Sequence, residues 1–206
     1  GNYAHENGGG IYNTTSDPEV INCTIAENTA NNIAGGIYSV NSYMVLKNSI
    51  VWGNYEKYIS NIRTTVYDES NYTSVSYTDL QRKTGYGIPF GQDLGGNTGK
   101  FPYFASYLEN SYEKNDYRRF KLLNFSPAVD TGDPSSEYGK ERGAGELWNN
   151  CINKGAFGNT IEATIAYPDT DNDIMPDEWE LLYTDSLNSL SQYGNNDDDG
   201  MINQAE

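Results

Sequence analysis

Gly9-Gly10-Ile11-Tyr12 returns 26 residues later as Gly35-Gly36-Ile37-Tyr38. The same offset carries Asn2-Tyr3-Ala4 onto Asn28-Thr29-Ala30, and the run from Asn22-Cys23-Thr24-Ile25 to Asn28 onto Asn48-Ser49-Ile50-Val51 to Asn54. Three separate blocks thus share one period, and self-similarity at a fixed period of this size marks an array of stacked units. Within a period the apolar residues alternate, as Ile21, Cys23 and Ile25 do, which is the spacing of a strand with one buried face. Gly and Asn interrupt these stretches, and both tolerate left-handed turn conformations.

Composition removes the helical alternative. The 206 residues include 25 Asn, 21 Gly and 18 Tyr, and a helix of period 3.6 would be weakened by that density of Asn and Gly. Short strands that coil and stack every 26 residues satisfy the pattern, because like residues then ride above like and Asn at one phase can form a hydrogen-bonded ladder. The expected fold is an all-β parallel solenoid. Tyr12 should lie over Tyr38 and Cys23 over Ser49.

The run from Gly8 to Asn54, with GGGIYN, NCTIAEN, GGIYSV and NSIVWGN, resembles the right-handed parallel β-helix proteins of the pectate-lyase-like superfamily found on bacterial surfaces. VSYTDLQ (75–81), FPYFAS (101–106), DYRRFKLLNFSPAVDTGDPS (116–135) and INKGAFGNTIEAT (152–164) are similar to the C-terminal segment of the choice-of-anchor group within it. The resemblance covers nearly the whole chain to about Thr164. It implies a right-handed β-helix and an extracellular or cell-surface setting, and it speaks to fold more than to function.

The solenoid and its cap are expected over 1–165 and an acidic calcium-binding segment over 166–206. Asn2 already occupies the phase of Asn28, so a coil is expected to be cut open at residue 1, with further coils before it. After Asn54 the 26-residue period dissolves, and the Gly-rich stretch from Gly85 to Gly99 is expected to be irregular. Residues 55–165 then form irregular last coils and a cap over the open end, which shields unpaired strand edges.

Charge is concentrated at the end of the chain. Of 29 acidic residues, 11 lie between Asp169 and Glu206, where there is no Lys or Arg. That balance argues against nucleic acid and anionic membranes, whose partners need clustered bases, and it favours a cation. No apolar run approaches a membrane span of roughly 20 residues. Asp169, Asp171, Asp173, the carbonyl of Met175, Asp177 and Glu180 fall at positions 1, 3, 5, 7, 9 and 12 of a loop of EF-hand type. Asn195, Asp197, Asp199, the carbonyl of Met201, Asn203 and Glu206 repeat the count, with Gly200 at position 6. Ca²⁺ takes six to eight hard oxygens, which this donor set offers; with no His or Cys in the tail it is unsuited to zinc.

Two positions depart from the pattern. Ile174 stands where the first loop needs a sharp turn, and Asn195 lowers the charge of the second. The tail resembles dockerin and thrombospondin type 3 calcium repeats, and 177–183 is expected to leave the first loop as a short α-helix. Glu206 is the last expected ligand, so a further domain or anchor is expected beyond it.

Catalytic chemistry has few candidates. Shifting the acids of the first period by 26 places Glu6 on Asn32, Asp17 on Tyr43, Glu19 on Val45 and Glu27 on Gly53, so no two acids stack to make the carboxylate pair a glycosidase needs. Arg118, Arg119 and Lys121 form the one basic cluster, but alternation with Phe120 and Leu122 reads as a solvated strand face. His5 sits in a Gly- and Asn-rich turn. Cys23 and Cys151 are expected to remain separate thiols. The Tyr-rich strands suit a sheet and also offer an aromatic platform for sugar rings.

The expected role is therefore a non-catalytic extracellular adhesion or structural module, stabilised by calcium, with glycans or surface proteins as partners. The alternatives are the terminal part of a polysaccharide lyase or hydrolase and a self-assembling fibre subunit.

Overall fold

The computed structural model describes residues 1–57, 66–81, 91–107, 113, 115–142, 144 and 150–166. The calcium-loop residues from Asp169 to Glu206 and the expected helix over 177–183 lie outside the described residues.

The chain folds as a parallel β solenoid. Its first coil carries β1 (Tyr3–Ala4), β2 (Ile11–Thr14), β3 (Glu19–Ile21) and β4 (Thr24–Ala26). The second carries β5 (Thr29–Ala30), β6 (Ile37–Val40), β7 (Val45–Lys47) and β8 (Ile50–Trp52), and the third β9 (Tyr55–Glu56), β10 (Val66–Asp68), β11 (Ser74–Ser76) and β12 (Asp79–Leu80). A fourth, shorter turn adds β13 (Gln92–Asp93). Equivalent strands pair in parallel to give four narrow sheets: β1-β5-β9, β2-β6-β10, β3-β7-β11-β13 and β4-β8-β12. The expected register holds, since Tyr12 pairs with Tyr38, and the Cys23 N–H donates to Ser49 Oγ at 3.1 Å.

The period does not dissolve after Asn54. It lengthens: Tyr38 pairs with Tyr67 and Ile50 with Asp79, a step of 29 residues, whereas Thr29 still pairs with Tyr55 at 26. Three extra residues therefore enter between Glu56 and Val66. The next step shortens to 18, because Ser74 pairs with Gln92, so part of the stretch expected to be irregular pairs as a strand. Coil length varies at the turns while the strand faces keep their phase.

Alternation fixes which side chains point inward. Val20, Leu46 and Val75 form one buried row, Ile25, Val51 and Leu80 another, and Ile37 and Val66, with the partly buried Ile11, a third. Each fully buried aliphatic side chain contributes about 1.5–3 kcal/mol. Polar ladders hold the corners. Asn28 donates from its backbone N–H and from Nδ2 to Asn54 Oδ1, both at 3.0 Å, and Asn54 Nδ2 donates to the Ile25 carbonyl at 2.8 Å. Left-handed residues recur at one corner as Asn22, Asn48 and Tyr77, with φ of 49°, 48° and 47°. The repeated Gly pairs answer a different need: a Cβ on Gly35 would lie 2.4 Å from the Tyr55 backbone of the next coil, a contact no larger residue allows.

The described residues between 101 and 166 pack as a clasp against the outward side of β4 and β8. Ile50, Ala26 and Trp52 point outward there and pack with Phe104, Leu122, Ala128 and Val129 in a second core. β8 is consequently buried on both faces. The clasp reaches the first, second and fourth coils: Ala156 N–H donates to Thr24 Oγ1 (3.0 Å), Gly155 N–H to the Asn48 carbonyl (2.8 Å), and Lys154 Nζ to the Gly96 carbonyl (3.1 Å). The segment expected as a basic strand is instead a 3-10 turn over Tyr117–Phe120, capped by Asp116.

Candidate functional site

The densest ionisable chemistry among the described residues lies inside the clasp, around Asn153. Its backbone N–H donates to Glu141 Oε1 (3.0 Å), its Oδ1 accepts from the Asp130 N–H (2.8 Å), and its Nδ2 donates to the Thr164 carbonyl (2.7 Å). Asn159 N–H also donates to Glu141 Oε1, at 2.7 Å. One carboxylate oxygen thus ties two backbone segments together. The other, Glu141 Oε2, is buried with no hydrogen-bond partner in the described structure, and so are both carboxylate oxygens of Asp130.

Burial raises the Asp130 carboxyl to about 7, and the charge of Glu141 adds to the shift. Burial also raises Glu141, while the N–H groups of Asn159 and Asn153 pull it back down. Asp130 is therefore the member of the pair that more readily holds a proton. Asp133, three residues on, has the opposite environment: the Lys47 ammonium and the Ser135 backbone N–H hold its carboxyl down to about 2.

Two neighbours complete the cluster. Cys151 donates from Sγ to the Gly132 carbonyl at 2.8 Å, and burial raises its thiol, with the nearby carboxylates adding to the shift, so the nucleophilic thiolate is disfavoured. Cys23 is likewise a free thiol raised by burial. Lys154 is only 1% exposed; burial lowers its ammonium while the Asp79 carboxylate opposes the shift.

The candidates read from sequence are dispersed. Glu19 pairs in register with Val45, Asp17 Oδ1 accepts from the Tyr43 N–H, and Glu27 forms an ion pair with Arg119 at 2.5 Å. Arg118 pairs with Asp116, and Lys121 lies over the Phe157 ring. His5 meets Tyr3 edge to face. The basic trio is thus engaged in clasp contacts. Among the described residues no group of three or more His, Cys, Asp or Glu side chains gathers at one point.

The tyrosines form ladders. Tyr12, Tyr38 and Tyr67 stack with centroids 5.1 and 5.4 Å apart and planes within 14°, and Tyr43 stacks on Tyr72 at 4.6 Å. A ring face covered by the next coil's ring cannot receive a sugar, so only the outward faces at the ends of a ladder offer that contact. The ladder presents ring edges and hydroxyls to solvent instead.

Asp130, Glu141 and Lys154 were not singled out by spacing. The available signal was an acid directly following the apolar pair Ala128-Val129, a place where a strictly solvated carboxylate does not belong. Compared with protein-family models, characterised proteins and solved structures, the chain matches none.

Proposed function

We propose that the chain is a non-catalytic structural and adhesive module of an extracellular bacterial surface protein, in which a right-handed solenoid serves as a stiff spacer. The observation that carries this reading is the clasp: one segment fastens to Thr24, Asn48 and Gly96, on the first, second and fourth coils. A device that joins coils resists their separation, which suits a spacer under load. The handedness follows from the strong steric preference of parallel crossovers for the right-handed sense.

The state of the carboxylates supports a structural role as well. The unpartnered oxygens of Asp130 and Glu141 are shut away from solvent, where no polymer can reach them, so this pair is unlike the open acid pair of a glycosidase. The tail extends the module. Its donors from Asp169 to Glu180 and from Asn195 to Glu206 are all hard oxygens at calcium-loop spacing, and bound calcium would supply charge neutralisation and order. Glycans or surface proteins are the proposed partners.

Incubation of the chain with pectin, alginate and other uronic-acid polymers separates this reading from a lyase or hydrolase. The expected result is no unsaturated product and no new reducing ends. Turnover that disappears in Arg118→Ala would establish the enzymatic alternative. A self-assembling fibre subunit is the second reading; filaments visible by microscopy would move the assignment there.

A further inference from the structure

Asn153 ties both acids into one corner of the clasp, Asp130 through its backbone N–H and Glu141 through Oε1, and three of their four carboxylate oxygens are buried without a hydrogen bond in the described structure. Glu141 is 4% exposed. Buried polar atoms without partners are rare in native proteins, and such a group commonly marks a bound water or ion. The surrounding charges do not solve the problem. Among the described residues Asp133 and the Cys151 thiol are further ionisable groups at this corner, and the nearby Lys47 is engaged by Asp133. Lys154 Nζ is turned to the Gly96 carbonyl and Thr98 Oγ1.

A proton shared between the two carboxyls would need a short hydrogen bond from one to the other, and the structure records none between them. A cation bridges oxygens that stand further apart, since each need only lie about 2.3–2.6 Å from a calcium ion. We propose that Asp130 and Glu141 hold a calcium ion within the clasp, at a site separate from the two loops of the tail. Cys151 Sγ is committed to the Gly132 carbonyl, and among the described residues no third acid, His or Cys side chain joins the pair to make the tetrahedral set that zinc requires. Calcium accepts backbone carbonyls and water for its remaining positions. Bound there, it would tie the 130–133 and 141–159 segments of the clasp through one ion.

The test uses the full chain carrying Asp171→Ala and Asp199→Ala, which weakens the tail loops and leaves the clasp intact. Calorimetry should still register one calcium equivalent, and calcium should raise the unfolding midpoint relative to chelator. Adding Asp130→Asn should remove both effects, and Glu141→Gln, which keeps the Oε1 acceptor, should remove them too. No binding heat beyond the tail loops would overturn the proposal. So would a calcium-dependent midpoint that survives Asp130→Asn, or an Asp130→Asn chain that is stabilised equally with and without calcium, the behaviour of a proton-sharing pair.

Discussion

Asn48 Oδ1 accepts a hydrogen bond from the Asp133 N–H at 2.7 Å, although 85 residues separate the two. Asn48 Nδ2 also donates to Ser136 Oγ at 3.0 Å. One fully buried side chain on the second coil therefore serves both partners in the clasp, and its left-handed backbone, with φ of 48°, is one that Asn tolerates. The same residue that turns the coil fastens the segment that covers it.

Asn48→Ala should lower stability by about 2–4 kcal/mol, because it leaves the Asp133 N–H without its acceptor and places a non-Asn residue in left-handed backbone. Asn48→Asp keeps the Oδ1 acceptor and should lose less of the Asp133 contact, though it buries a charge. Denaturant unfolding of both variants measures the difference.

Low pH should loosen the clasp through Asp133. Its folded pKa of about 2 lies below the ordinary carboxylate value of 3.8, so its contribution is present above about pH 4 and is lost as pH falls toward 2. Asp133→Asn should flatten that part of the stability profile, and Lys47→Met should reduce it. An unchanged slope between pH 4 and 2 in Asp133→Asn would contradict the assignment.

How much of this was legible in the sequence depends on what set each feature. Tyr12 over Tyr38 and Cys23 over Ser49 could be read because a solenoid's register is its repeat, and the repeated Gly9 and Gly35 mark close approaches of neighbouring backbones. The third coil was missed because three residues enter between Glu56 and Val66, which hides an unbroken stacking of Tyr38 on Tyr67 from any fixed-offset comparison. The clasp's position was not legible at all: Ile50 and Trp52 look like ordinary alternating strand residues, and nothing local says that their outward side is covered. Asp130 and Glu141 meet only through Asn153, a tertiary relation with no sequence period.

The tyrosine ladder should act cooperatively. Tyr38 stacks on both Tyr12 and Tyr67, so Tyr38→Ala removes two ring contacts and should cost about 1–3 kcal/mol, whereas Tyr12→Ala removes one and should cost roughly half as much. Thermal unfolding of the two variants tests the ratio, and equal losses would argue that the rings act singly.

Calcium should protect the tail. With calcium, proteolysis within 167–206 should slow, and chelation should restore cleavage; Asp171→Ala and Asp199→Ala should each remove part of the protection, because each deletes a carboxylate ligand of one loop. Cleavage that is equally fast with calcium and with chelator would refute the loop assignment.

A clasp that fastens to the first, second and fourth coils should make the solenoid one mechanical unit, and pulling single molecules by their two ends tests this most directly. The account predicts that the solenoid and residues 101–166 yield together in one cooperative rupture, and that Asn48→Ala lowers the rupture force. Stepwise loss of coils, with the clasp peeling away first and Asn48→Ala leaving the remaining force unchanged, would contradict it.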